Sequence, residues 1–161
     1  RALHPTRYVP NAMMVPRSVF LQTGGFDPFY MAMYEEADFG FRITERGRNA
    51  YICPAARTLH LGAAGAGQAL PLRRLGIETP QRAYFFARNR SVFMRRFAPW
   101  HGQLVFFLAF VHVFTLAYCA IAVRHRRPDI ALSYFRGAFR GLWHAAFGMP
   151  PRPRPAAPAS R

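Results

Sequence analysis

Residues 104–123 form a run of twenty without a formal charge, broken only by His112 and the weakly polar Thr115 and Tyr118. As a helix rising 1.5 Å per residue, the run would be about 30 Å long, the thickness of a bilayer's hydrocarbon core. Arginines stand on both sides: Arg95 and Arg96 before it, Arg124, Arg126 and Arg127 after it. Such a helix either meets a membrane or needs a large core to bury it. The 161 residues are enough for one domain of ordinary size, and the residues that follow the run within this sequence are too few to form a large core around it. Membrane contact is therefore expected. With both flanks basic, the positive-inside rule gives no direction, and the run is free to cross the bilayer or lie in it. It stands too far from Arg1 to be a signal peptide.

Charge follows the same division. The formal net charge is +15, all 22 basic residues are Arg, and only seven residues are acidic. Five of the acids (Asp27, Glu35, Glu36, Asp38 and Glu45) fall within nineteen residues, whereas beyond Thr79 a single acid, Asp129, faces thirteen arginines. A basic half calls for an anionic partner. Because this half is interleaved with the apolar run, anionic lipid suits it better than nucleic acid, and no helix-turn-helix, zinc or RNA-binding pattern is present. Apolar residues make up 52% of the chain, which excludes disorder as a description of the whole. Cys53 and Cys119 stand alone, with no CxxC or Cys/His cluster, so neither a disulfide framework nor a structural zinc site is indicated.

Periodicity and breakers divide the remainder. Residues 8–15 read as a buried strand. Pro16 can open a helical turn running to Thr23, which Gly24 and Gly25 stop. A helix is expected from Glu35 to Arg46, ended by Gly47, with acids in its first turn and Asp38 and Arg42 spaced for an i,i+4 pair. Residues 50–53 read as a second strand, stopped by Pro54. The Gly- and Ala-rich residues 61–79 read as a loop, residues 80–96 as a helix, and residues 129–147 as an amphipathic helix of the interfacial kind. From Pro150 onward the Pro/Ala/Arg composition predicts disorder.

The most chemically loaded segment runs from Gly24 to Arg42. Three carboxylates within four positions, Glu35, Glu36 and Asp38, repel one another unless a cation or a catalytic task holds them. On composition alone a solvated acidic helix start is the better explanation, since acids favour helix N-termini.

The full string GGFDPFYMAMYEEADFGFRITERG resembles the acceptor-side motif of family 2 glycosyltransferases. Gly24, Gly25, Phe26, Asp27, Glu35, Glu36, Asp38, Arg42 and Gly47 fall at matching positions. Downstream, Cys53-Pro54-Ala55 and His60-Leu61-Gly62 resemble the family's Pro-Ala strand and its His-Gly pair. The segment from Tyr84 to Arg90 is similar to the Tyr-x-x-x-Arg-Asn stretch of the rhamnosyltransferase-like branch. The likeness covers roughly residues 8–96.

It implies an α/β chain: the C-terminal half of a GT-A nucleotide-diphospho-sugar transferase domain, followed by membrane-associated helices. Residues 1–97 would be the acceptor-side part, residues 98–148 the membrane-associated helices, and residues 149–161 a disordered Pro/Arg tail. The implied reaction transfers one sugar, with inversion, from a nucleotide-sugar to a lipid-linked or cell-surface glycan. Glu36 takes the general base's place, where many members have Asp. Asp27, Glu35, Asp38 and Arg42 would shape the acceptor site, with Arg42 holding Asp38. His60 matches a position near the metal and diphosphate. A divalent metal, Mg or Mn, would be bound chiefly by an N-terminal half that this sequence lacks, for no Asp-x-Asp occurs in it. The chain is accordingly expected to be part of a longer enzyme and to turn nothing over alone. The QxxRW motif of processive synthases is also absent, which favours single transfer. The expected location is the cytoplasmic side of a membrane, as in a bacterial inner membrane. The rival reading is a non-catalytic basic module that anchors to anionic lipid, which has no use for the acidic cluster.

Overall fold

The computed structural model describes residues 3–8, 12–58 and 70–155. The chain divides into two compact units. The first comprises the described parts of Arg1–Phe29, Glu35–Ala64 and Pro151–Arg161, and the second those of Tyr30–Tyr34 and Gly65–Pro150.

In the first unit, strand β1 (His4–Thr6) pairs antiparallel with β2 (Ala50–Ile52), Pro5 opposite Tyr51. A two-stranded ladder tolerates the proline because each strand has a free edge. The expected strand over residues 8–15 is not found where it can be seen: residues 12–15 carry no regular structure, Met14 is fully exposed, and residues 9–11 lie outside the described residues. An apolar run becomes a strand only with a partner ladder, and β2 is already paired to residues farther upstream.

Helix α1 (Arg17–Thr23) follows Pro16 and ends at Gly24 in the left-handed region, φ 83°. There Gly24 N–H donates to Leu21 O (3.1 Å) and Gly25 N–H to Phe20 O (2.9 Å), which satisfies two terminal carbonyls in a Schellman arrangement. Helix α2 (Glu35–Glu45) ends the same way at Gly47, φ 71°. Its inner face buries Ala37, Phe39 and Ile43, and the Phe39 ring packs 5.5 Å from Phe20 and 5.1 Å from Phe26. Residues 151–155 carry no regular structure, and Arg152 Nη1 reaches Glu45 Oε2 at 2.8 Å.

The second unit is helical. Part of the expected loop over residues 61–79 is instead a short helix, α3 (Leu70–Arg74), while residues 59–69 lie outside the described residues. Pro71 suits a first helical turn. Gly76, which reads as a loop signal, is the left-handed cap of that helix: its N–H donates to Arg73 O (3.0 Å) and Ile77 N–H to Leu72 O (3.0 Å). The cap turns Leu72 and Ile77 into the core. Helix α4 (Pro80–Phe97) starts at Thr79, whose Oγ1 accepts from Arg82 N–H (3.2 Å).

A long helix, Trp100–Arg124, follows, and it is apolar and long enough to cross a membrane: 25 residues, with a mean hydropathy of 2.4 over its most apolar window, of which 11% is buried. It starts earlier than the uncharged run because Pro99 caps it, accepting from Gln103 N–H at 2.9 Å. It is composed of α5 (Trp100–Val105), a π turn (Phe106–Phe110) and α6 (Val111–Arg124). Helix α7 (Pro128–Phe147) returns along α6 after a turn with Arg126 at φ 55°.

Small residues set how closely α4 and α7 pack. Ala83, Ala87 and Ser91 recur every fourth position on α4, and Gly137 and Gly141 do so on α7. A Cβ added at Gly141 would lie 2.7 Å from Arg88 O, and one at Gly137 would overlap the Tyr84 carbonyl. The glycines therefore let the two backbones touch.

Among the described residues the only sheet is the β1–β2 pair, and helices carry the rest. No parallel sheet of the GT-A kind is present among them.

Candidate functional site

The acidic segment divides into a buried half and an accessible half. Arg42, 3% exposed, donates Nε to Asp38 Oδ2 (2.7 Å), Nη1 to Thr23 O (2.6 Å) and Nη2 to Gly25 O (2.7 Å). Asp38 is itself fully buried. The pair expected from the i,i+4 spacing thus exists, and it does more than join two side chains. The guanidinium fork also binds carbonyls that the end of α1 leaves unbonded, so it staples the Gly24–Gly25 turn to α2. Desolvating both ions is costly, and these extra hydrogen bonds offset that cost. Asp27, 4% exposed, accepts from Phe29 N–H at 2.8 Å and closes the turn after Phe26. Asp27, Asp38 and Arg42 therefore face the interior of the first unit. They can shape a site but not reach far out of it.

Glu35 and Glu36, in the first turn of α2, are only partly buried. Burial pushes the Glu36 carboxyl above the ordinary glutamate value, and the Glu35 charge beside it pushes the same way against the opposing backbone hydrogen bond. Glu35 Oε2 is enclosed with no hydrogen-bond partner. A carboxyl raised by burial and a neighbouring carboxyl is chemically suited to taking up a proton, since proton transfer is most effective when a base's pKa approaches the working pH.

Just before this turn the backbone is strained. Met31, Met33 and Tyr34 sit at φ of 58°, 65° and 74°, a region non-glycine residues rarely occupy. In the second unit this segment is held by Asn89, fully buried on α4, whose Nδ2 donates to Tyr30 O (2.8 Å), Ala32 O (2.7 Å) and Met33 O (2.8 Å). Arg88 Nε in turn donates to Asn89 Oδ1 (2.8 Å) and fixes the amide's orientation. Sequence reasoning had marked these two residues by resemblance without giving them a task. The available signal was an Arg-Asn pair in an otherwise aromatic helix, on the face that turns inward.

Arg90 was also missed. Its guanidinium lies 4.4 Å from the Phe86 ring, 4.6 Å from Phe114 and 5.3 Å from Tyr118, and it reaches the hydroxyls of Tyr34 (3.2 Å) and Tyr134 (3.4 Å). Aromatic faces and hydroxyls together compensate a charge taken out of water. Beside it, between α4 and the long helix, lies a nearly apolar cavity of about 600 Å³, lined by Phe93, Met94, His101, Phe106 and Phe110 among others. A second apolar cavity, about 460 Å³, has Arg95 and Gln103 at its polar edge and Phe107, Phe139 and Trp143 on its walls. Neither is lined by a carboxylate.

His60 lies outside the described residues. Among the described residues no three His, Cys, Asp or Glu side chains come together as a metal site, so those residues do not fit the expected divalent ion. Cys53 and Cys119 are free thiols. Compared with models of protein families, with curated proteins and with solved structures, the chain matches none.

Proposed function

We propose that this chain is the acceptor-side part of a membrane-associated family 2 glycosyltransferase of the GT-A fold, transferring one sugar with inversion, with Glu36 as general base. The observation that carries the proposal is the raised Glu36 carboxyl at the head of α2, on a helix stapled by Arg42 to the Gly24–Gly25 turn. In this reading Glu36 takes the proton from an acceptor hydroxyl as that oxygen bonds to the anomeric carbon. The bond from that carbon to the diphosphate breaks, and the electron pair leaves with the nucleotide. Asp38, Arg42 and Asp27 keep the helix start in place, and Glu35 raises the affinity of Glu36 for the proton. The donor is a nucleotide-sugar, the acceptor a lipid-linked or cell-surface glycan, and the working side of the membrane the cytoplasmic one. The reading requires a donor-binding half with an Asp-x-Asp motif, which these residues do not supply. Any divalent ion is assigned to that half, and no step is routed through it on this chain.

Membrane association is supported by the helix Trp100–Arg124, long and apolar enough to cross. The same helix also favours the rival reading, a non-catalytic anchor, which leaves the Glu35–Glu36 pair without a task. Membranes containing the protein expressed from its whole open reading frame decide between them. Radiolabelled nucleotide-sugars are expected to label a lipid-extractable or cell-surface glycan, and Glu36→Gln is expected to abolish the labelling at equal protein level. Unchanged labelling by Glu36→Gln removes Glu36 as base, and no labelling by the unaltered protein leaves the anchor reading.

A further inference from the structure

We propose that the helices of the second unit lie flat in one leaflet of an anionic membrane, with the long helix embedded along its length and Arg136 and Arg140 bound to phospholipid phosphates. The inference rests on the membrane association proposed above and adds its geometry.

The level of each arginine follows from the packing. Tyr118 stacks on Tyr134 with ring centres 4.8 Å apart, and Cys119 Sγ donates to Ala131 O at 3.4 Å, so α6 and α7 form an antiparallel hairpin. Counting along α7 from that contact, the exposed Arg136 and Arg140 stand beside the middle of the apolar run. Helix α4 runs parallel to α7, because Tyr84 meets Gly137 and Arg88 meets Gly141. Arg88 is therefore level with the run as well, and Arg90 lies over the ring of Phe114, a residue near its centre. If the long helix crossed the bilayer, it would carry four arginines to mid-depth, two of them exposed. Arginine is rare and costly there unless it faces a protein interior or water.

Laid flat, the same residues sort by side. Leu132, Phe135, Phe139 and Trp143 recur at spacings of three and four and form one exposed stripe on α7. The long helix exposes apolar side chains round most of its circumference, Val105, Leu108, Phe110, Val113 and Leu116 among them, as a helix embedded in acyl chains does. Arg136 and Arg140 occupy the next row round α7, on the flank toward α4, where the Arg140 charge bears on Arg88. Helix α7 thus has an apolar stripe with a tryptophan in it beside a basic edge, which is the profile of helices in the headgroup–acyl boundary. Arginine's planar fork matches phosphate oxygens in pairs.

The test uses the full chain with Cys53→Ser and Cys119→Ser, carrying His101→Cys and Arg124→Cys at the two ends of the long helix. It is bound to vesicles of phosphatidylglycerol and phosphatidylcholine. A membrane-impermeant maleimide is added outside, and intact mass counts the labels on each molecule. A flat helix gives molecules with two labels, whereas a crossing helix gives molecules with one. Single-labelled molecules at saturation overturn the flat arrangement and leave membrane association standing. Failure to sediment with either vesicle overturns both. Arg136→Ser with Arg140→Ser should weaken binding to phosphatidylglycerol vesicles roughly 30-fold, at about fivefold per arginine near an anionic surface. The Arg136→Lys, Arg140→Lys pair should keep most of it, and equal binding by the serine and unaltered chains overturns the headgroup assignment.

Discussion

Replacing Arg42 by Met should remove a large part of the first unit's stability. The guanidinium makes three charged hydrogen bonds of 2.6–2.7 Å while 3% exposed, one to Asp38 and two to carbonyls at the end of α1. Breaking a buried ion pair by removing one partner costs about 3–5 kcal/mol. Each buried carbonyl deprived of its donor adds a cost of about 1–3 kcal/mol, although these effects share one network and do not sum. A loss of about 4 kcal/mol follows, set against a total of about 5–15 kcal/mol for an ordinary domain. With a urea slope of about 2 kcal/mol per molar, the unfolding midpoint should fall by about 2 M. Hydrogen exchange of the α2 amides, read along a urea series, reports this unit specifically. Arg42→Lys keeps the charge without the fork and should lose roughly half as much, since lysine cannot reach three acceptors in one plane. Arg46→Met, exposed one turn on, should change stability by less than about 0.5 kcal/mol. A midpoint for Arg42→Met equal to that of Arg46→Met would refute the stapling role.

Glu36 has a pH signature that needs no substrate. Its carboxyl binds protons more tightly folded than unfolded, so it lowers stability as pH rises from the ordinary glutamate value through its raised one. Glu36→Gln should therefore raise the melting temperature at neutral pH, with the gain shrinking to nothing as pH falls below that ordinary value; a gain that grows toward acid pH contradicts the raised carboxyl. Asn89→Leu removes three hydrogen bonds to the backbone of residues 30–33 and should cost about 2–3 kcal/mol, measured by thermal unfolding, with protease cleavage appearing within that segment. Gly137→Ala drives a methyl into the Tyr84 carbonyl and should cost at least about 1–3 kcal/mol, whereas Gly148→Ala, which has open space around it, should cost much less.

The helices were legible where their signals are local. The i,i+4 spacing of Asp38 and Arg42, the stop at Gly47, the helix over residues 80–96 and the uncharged run were all readable along the chain, and each recurs within a residue or a few of its expected place. Strand β2 was legible in residues 50–53, but the other strand, expected over residues 8–15, stands at His4–Thr6. Pairing is a long-range choice, and three-residue strands carry too little pattern to announce it. Gly76 misled for a related reason. A glycine between Gly/Ala-rich residues and a helix looks like loop, and only the burial of Leu72 and Ile77 makes it a cap. Within the candidate site the acids could be named but not sorted, because the number of hydrogen bonds a carboxylate receives depends on chain ends brought together from far along the sequence.

By itself, then, the sequence determined the long helical segments but not α3, the basic and apolar character of the second half, and the identity of the acidic cluster, because these depend on residues within a few turns of one another. Tertiary structure alone decided that Arg42 spends its fork on the end of α1, that Asn89 holds residues 30–33, and that Gly137 and Gly141 bring α7 against α4. It also decided which arginines stand level with the apolar run. Each of these is set by backbone groups meeting across tens of residues, and the geometry of such meetings is fixed only when packing closes around them.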